Sequence, residues 1–221
     1  MNIPDNLLGE VWCWTAWAVW SSLFALSVWR APWARLKEDE HLNVWLGMIV
    51  LLTFVWSLKA GVKPGLSMHL LGATVFTLCF GRHLAFIGLS LVLAGLTING
   101  ASGFFAYALN ALLLAGVSVS ISHLVLTFVQ RFLPNHFFVY IFGNGFFGAA
   151  LTVMGVGLVS TFFLGFSETY QFDYLTSEYL PYFILLGFSE AWLSGMVMTL
   201  FVVYRPNWVF TFDDSLYLAK K

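Results

Sequence analysis

The chain has 221 residues, 60% of them hydrophobic and only 10% charged, with a formal net charge of −1. A soluble domain carries about 25% charged residues, so this composition excludes a fold coated by water on all sides. Its long apolar runs, broken by short polar stretches, lack the strict alternation of a membrane barrel, which leaves helices as the way to satisfy the backbone in lipid. The reading is an all-α, polytopic protein, one membrane domain over residues 1–221, surrounded by lipid and with no nucleic-acid partner.

From the start of the chain, Met1 to Glu10 carries Asp5 and Glu10 but no Lys or Arg. A signal peptide opens on a basic stretch, so Met1 is expected to stay on the mature protein, with Pro4 stiffening the segment behind it. Seven apolar runs follow, at about 7–29, 42–58, 65–81, 84–98, 103–129, 136–165 and 180–204. Only Gly81, Arg82 and His83 separate the third from the fourth; fusing them gives a rival count of six. The positive-inside rule favours seven. With the N-terminus outside, the inner loops hold Arg30, Arg35, Lys37, Arg82, Arg131, Arg205, Lys220 and Lys221, and the outer loops only Lys59 and Lys63. The C-terminus is then cytoplasmic.

Several residues along these spans bear on chemistry. Cys13 and Cys79 fall at depths differing by roughly 12 Å at ~1.5 Å per residue, beyond the ~7 Å reach of a disulfide; both are read as buried thiols. Pro64 suits the first turn of a helix, which places His69 one turn below the outer surface. There it is either a metal ligand or a hydrogen-bonded packing residue. Asn110 and Glu190 lie roughly 10–15 Å below the same surface by the ~1.5 Å rise. A carboxylate at that depth is costly, and no Lys or Arg sits inside a span, so Asn110 is the expected partner of Glu190 in a structural network. The outer loop from Phe166 to Glu178 holds Glu168, Asp173 and Glu178 without a base. It either gathers cations or simply follows the outside bias against Lys and Arg. His41, His83, His123 and His136 lie toward the inner side and do not converge with His69. The ten tryptophans read mostly as helix-end anchors.

Motifs for ordinary catalysis are missing. There is no GxxxxGK[ST] phosphate loop, no HExxH, no CxxC and no GxSxG, so no enzyme activity is expected and ATP is not hydrolysed here through a phosphate loop. Four segments nonetheless carry a resemblance: Met1-Asn2-Ile3-Pro4-Asp5-Asn6; Met68-His69-Leu70-Leu71-Gly72-Ala73; the Gly-containing stretch Thr97 to Asn110; and Gly187-Phe188-Ser189-Glu190 followed by Arg205-Pro206. In this order they resemble the CbiM/NikM family, the substrate-binding membrane subunits of energy-coupling-factor transporters for cobalt and nickel.

The resemblance implies that segment 1–6 folds back into the bundle from outside. It also implies a planar four-nitrogen site made by the Met1 amino group, the backbone nitrogen and imidazole of residue 2, and His69. Planar nitrogen coordination suits Ni(II) or Cu(II). Here residue 2 is Asn2, whose amide cannot replace imidazole as a strong nitrogen donor, so the metal set Met1, Asn2 and His69 is a departure from the family. It points to Ni, Co or, with Met1 and Met68 nearby, Cu(I). The implied function is a metal-uptake permease in a bacterial or archaeal inner membrane, working with a transmembrane coupling protein and ABC-type ATPases. Two alternatives stand beside it: a non-transporting accessory or scaffold subunit of another membrane complex, and a transporter or chaperone of a different substrate acting without the ATPase module.

Overall fold

The computed structural model describes residues 2–61 and 63–217; Met1 and the two C-terminal lysines lie outside these. Six helices are long and apolar enough to cross a membrane: α1 Glu10–Arg30, α2 Asp39–Ser57, α3 Ala73–Ile98, α4 Tyr107–Phe132, α5 Phe137–Phe166 and α6 Phe172–Tyr204. A two-residue ladder pairs β1 Ala60–Gly61 with β2 Ser67–Met68. A last turn, α7, covers Asp214–Tyr217.

The bundle is organised around α3. Its apolar window is 78% buried, against 17% for α1 and for α2, so α3 is the core and the first two helices are its lipid-facing wall. Gly81 sits inside α3 with φ 75° and ψ 167°, values open to glycine and closed to most side chains. There the chain doubles back: the ring of Phe76 occupies the space where a side chain on Gly88 would be. In a straight helix those positions would stand about 18 Å apart. The reversal frees carbonyls at the end of the first arm, and other parts of the chain satisfy them. Phe210 N–H donates to the Cys79 carbonyl (3.1 Å) and Thr211 N–H to that of Leu78 (3.2 Å); on the second arm the Trp45 indole donates to Leu84 O (3.2 Å).

This corrects the expected third span. Residues 65–72 are not helical, and the helix begins only at Ala73. Gly65 and Gly72 have φ of 77° and 62°, left-handed values that interrupt a right-handed helix; the apolar run is instead an extended segment followed by an eight-residue arm. Cys13 and Cys79 are both buried and unpaired.

Basic residues separate by end. The inter-helix turns that carry Arg35, Arg82 and Arg205 are tied together by contacts such as Arg35 to Asn207 O (3.0 Å) and Arg205 to Glu40 (3.9 Å). Lys59 and Lys63 lie at the other end, where Lys59 donates to Ala101 O (2.8 Å). Lys63 is 3.7 Å above the ring of Tyr174, so the acidic 166–178 loop is not free of positive charge once folded.

Candidate metal site

Two non-helical segments meet at the end of the bundle that holds Lys59. The first is residues 2–5. Asn2 and Ile3 are buried, Ile3 completely. Asn110 on α4 grips Ile3 on both sides: its Oδ1 accepts from Ile3 N–H (2.9 Å) and its Nδ2 donates to Ile3 O (3.0 Å). The same amide nitrogen donates to Ser102 Oγ (2.9 Å). Asp5 then accepts from the backbone N–H groups of Phe104 (3.0 Å) and Ala106 (2.9 Å), just ahead of α4, where free amide donors favour a carboxylate. Gly103 leaves the room for this, since a Cβ there would collide with Asp5.

The second segment is 65–72. Glu190, in the middle of α6, holds it by the backbone: Oε2 accepts from Leu71 N–H (2.9 Å) and Oε1 from Gly72 N–H (2.6 Å), with Ser194 Oγ at 3.5 Å. Both oxygens accept, each from a neutral backbone donor. From the opposite wall, the fully buried Trp56 donates its indole N–H to Leu71 O (2.9 Å). Its ring lies 4.8 Å from that of His69. Asn110 and Glu190 therefore serve different partners, and the pairing expected from their similar depth is not formed.

His69 is buried, with 4% exposure. Its Nδ1 is 3.1 Å from Leu70 O; a carbonyl only accepts, so Nδ1 carries the proton and Nε2 holds the lone pair. Nε2 is buried and has no partner. His69 also lines a small cavity of ≈ 10 Å³, together with Ser67, Leu114 and Phe183. Ser67 and His69, one extended residue apart and both buried, share a face, and Ser67 Oγ accepts from Asn2 N–H (3.1 Å). The two segments are thus joined next to the imidazole. The Asn2 side chain is buried, and both its polar atoms are unpartnered. Such orphaned groups are rare in a folded interior.

Of the expected site residues, Asn2 and His69 come to the two joined segments, while Met1 lies outside the described residues. Three of the remaining histidines bond elsewhere, His41 to Glu38 (3.0 Å) and Asn207 O (3.0 Å), His83 to Ser27, and His136 to Phe138 N–H, and the fourth, His123, lines a cleft with Arg30 and Arg82. Among the described residues, no group of three or more His, Cys, Asp or Glu side chains is placed to hold a metal ion. Any ion here would need backbone, terminal or amide donors as well. Sequence reasoning missed Trp56 and Ser67, since neither a tryptophan at a helix end nor a serine in a loop stands out in a chain of this composition.

Comparison with known proteins places this geometry in context. The chain matches CbiM, described as a cobalt uptake substrate-specific transmembrane region, over residues 2–208. Its structure is similar to that of a truncated transition metal transporter, with TM-score 0.80 and 15% identity, covering 92% of this chain and 99% of the other. A second transition metal transporter structure gives 0.76 and 15% identity, covering 90% of this chain and 91% of its own. At that identity the two structures establish the fold. No curated protein matches significantly. A match spanning segment 2–5, the 65–72 segment and the Asn110 and Glu190 anchors alike identifies the chain as a member of the CbiM family, multi-pass membrane components of metal transport rather than enzymes.

Proposed function

We propose that the chain takes a transition-metal ion, Ni, Co or Cu, as cargo at the end of the bundle where residues 2–5 meet the 65–72 segment. The ligands would be His69 Nε2, the amino group of Met1 and a weaker donor from Asn2. The observation that carries this reading is the buried, unpartnered Nε2 of His69, its other nitrogen fixed by Leu70, beside an equally unpartnered Asn2 amide. Reading the reversal at Gly81 as the turn between two crossings gives seven crossings. The excess of Arg at the opposite end then puts the N-terminus outside and the C-terminus in the cytoplasm, in a bacterial or archaeal inner membrane. Movement driven by ATP calls for partners, a transmembrane coupling protein and ABC-type ATPases, because the chain has no phosphate loop.

Asn2 tunes the proposal. Its backbone N–H is engaged with Ser67, and its side chain offers an amide oxygen in place of an imidazole nitrogen. Nitrogen-rich sites suit Ni(II) and Cu(II), and oxygen donors suit harder ions, so the wild-type site binds these metals more weakly than an Asn2→His variant. The test is the metal content of purified protein in detergent after loading with each ion. Wild type is compared with His69→Ala and with an N-terminally extended form. Stoichiometric metal lost in both supports the site; absence of metal from wild type under every loading condition refutes it.

A second reading has its own observation. Phe142, Phe147, Phe188 and Trp192 are more than half exposed and gather around Phe146, with Phe146–Trp192 centroids 5.8 Å apart. Such a patch on α5 and α6 suits burial against another membrane subunit. If wild type carries no metal but co-purifies with one membrane partner through this face, the accessory-subunit reading replaces uptake.

A further inference from the structure

At the end of the bundle opposite the metal site, α1 and α4 part. α1 packs on α3 and on the first turn of α4, 107–111, but has no comparable packing against 117–132. The gap is a cleft of ≈ 400 Å³, adjoining a second of ≈ 380 Å³ beneath the Gly81 turn with which it shares Arg30, Arg82, His83 and His123. Both helices turn one stripe toward it, at the three- and four-residue spacings that share a helix face. On α1 these are Leu23, Leu26, Ser27 and Arg30; on α4 they are Gly116, Val119, Ser120, His123 and Leu124. The cleft is polarised along its length. Toward mid-helix its walls are Leu23, Phe86 and Val119, and at the end of the bundle both cavities are lined by Arg30, Arg82, His83 and His123.

The basic end is arranged but unneutralised. Arg82 Nε donates to His83 Nε2 (3.2 Å), and His83 Nδ1 lies 3.5 Å from Ser27 Oγ, so the imidazole orients the guanidinium and leaves its terminal nitrogens free. The ion pairs among the described residues are His41–Glu38 and Arg205–Glu40; neither Arg30 nor Arg82 takes part in one. Two guanidiniums over one opening match a phosphate, and an apolar slot continuing from them into the bundle's flank matches a hydrocarbon chain. Free phosphate uses only the first feature.

We infer that this cleft is a binding site for one anionic phospholipid, its phosphate held by Arg30 and Arg82 and an acyl chain lying between α1 and α4. On the orientation proposed above, the site faces the inner leaflet. A lipid wedged there would set how firmly α1 is tied to the bundle.

The test is native mass spectrometry of the full chain in detergent, titrated with phosphatidylglycerol, phosphatidylcholine or inorganic phosphate. The inference expects one phosphatidylglycerol retained in preference to phosphatidylcholine. Arg30→Gln and Arg82→Gln should each weaken retention about five-fold, and Lys59→Gln at the far end should leave it unchanged. Leu124→Trp, on an exposed position where folding is not at stake, should fill the slot and lower retention with both arginines intact. Equal retention of the two lipids, insensitivity to both arginines, or inorganic phosphate displacing phosphatidylglycerol at equal concentration would each overturn it. The measurement involves no metal and no sidedness, so its failure leaves the metal reading standing.

Discussion

Residues 2–5 and residues 65–72 reach the same place by different physical means. On the reading proposed above, with the Met1 amine as a ligand, the first is a chain end, held by side chains that grip its backbone: Asn110 on Ile3, and Asp5 in return on the amides before α4. The second is an internal segment, fixed at both ends by the chain and clamped between Glu190 and Trp56. With the Met1 amine free, as proposed, residues 2–5 can leave for water once their anchor fails, and their amides are then solvated. An internal segment cannot leave, so its amides stay buried and unpaired. The comparison teaches that one carboxylate and one carboxamide at similar depth carry unequal costs of removal.

The largest effect should therefore come from Glu190→Ala. It strands the N–H groups of the buried Leu71 and the part-buried Gly72, at about 1–3 kcal/mol each. A clear drop in thermal stability in detergent is expected, together with faster hydrogen exchange over 65–72. Glu190→Gln keeps one accepting oxygen and should fall between the two. If Glu190→Ala melts like wild type, the carboxylate is not what holds the segment.

Asn110→Ala should come next, and its signature should differ in kind. Ile3 loses a partner for both its N–H and its carbonyl, but residues 2–5 can swing out, which caps the loss near the low end of about 1–3 kcal/mol. The melting temperature should move little while exchange at Ile3 and reactivity of the N-terminal amine rise strongly. Metal retention should fall in parallel if residues 1–2 supply ligands. A variant that melts far below wild type with its N-terminus still protected would break the comparison.

Ser67→Ala probes the junction of the two segments. It removes one acceptor, that of the Asn2 N–H, and should cost about 1 kcal/mol without releasing either segment. The expected readout is a small stability loss and a changed metal affinity, since the nitrogen of residue 2 is no longer engaged.

Much of the fold is legible in the amino-acid sequence. Long apolar runs in a nearly uncharged chain give membrane helices by the requirement that backbone groups be satisfied in lipid, and Gly81-Arg82-His83 stood out as the break inside α3. The helix expected over residues 65–72 did not form. An apolar run after Pro64 reads as helix, and the φ values that Gly65 and Gly72 adopt are set by packing, not by composition. Their neighbours decide it: a Cβ on Gly65 would meet Leu7, and one on Gly72 would meet Leu52. Glu190 was legible as costly and hence purposeful, but its partner was not. Depth along a helix follows from counting residues, whereas the direction a side chain faces across the bundle depends on how the helices are rotated. The donors that Glu190 meets are backbone amides, which every residue has and no sequence pattern marks. Trp56 was hidden for a similar reason, as a tryptophan at a helix end is usually an interfacial anchor; here its indole binds Leu71 O.

The smallest expected number is the most discriminating, the coupling between Asn110 and Glu190. If the two belonged to one network, as their matched depth suggested, removing either would already break what the other holds. The double variant would then cost less than the sum of the singles, with interaction energies of about 0.5–3 kcal/mol. In the folded protein each binds a different segment, and among the described residues the one direct hydrogen bond between those segments runs from Asn2 N–H to Ser67. Asn110→Ala and Glu190→Ala should thus add to within about 0.5 kcal/mol, measured as unfolding free energies in one detergent. Repeating the cycle after metal loading sharpens it. An ion ligated by both residue 2 and His69 would tie the segments together, so that losing either anchor weakens the same bound state. Coupling that is near zero without metal and rises above about 0.5 kcal/mol with it is what a site shared between the two segments requires, and two separate structural clamps would show none in either condition.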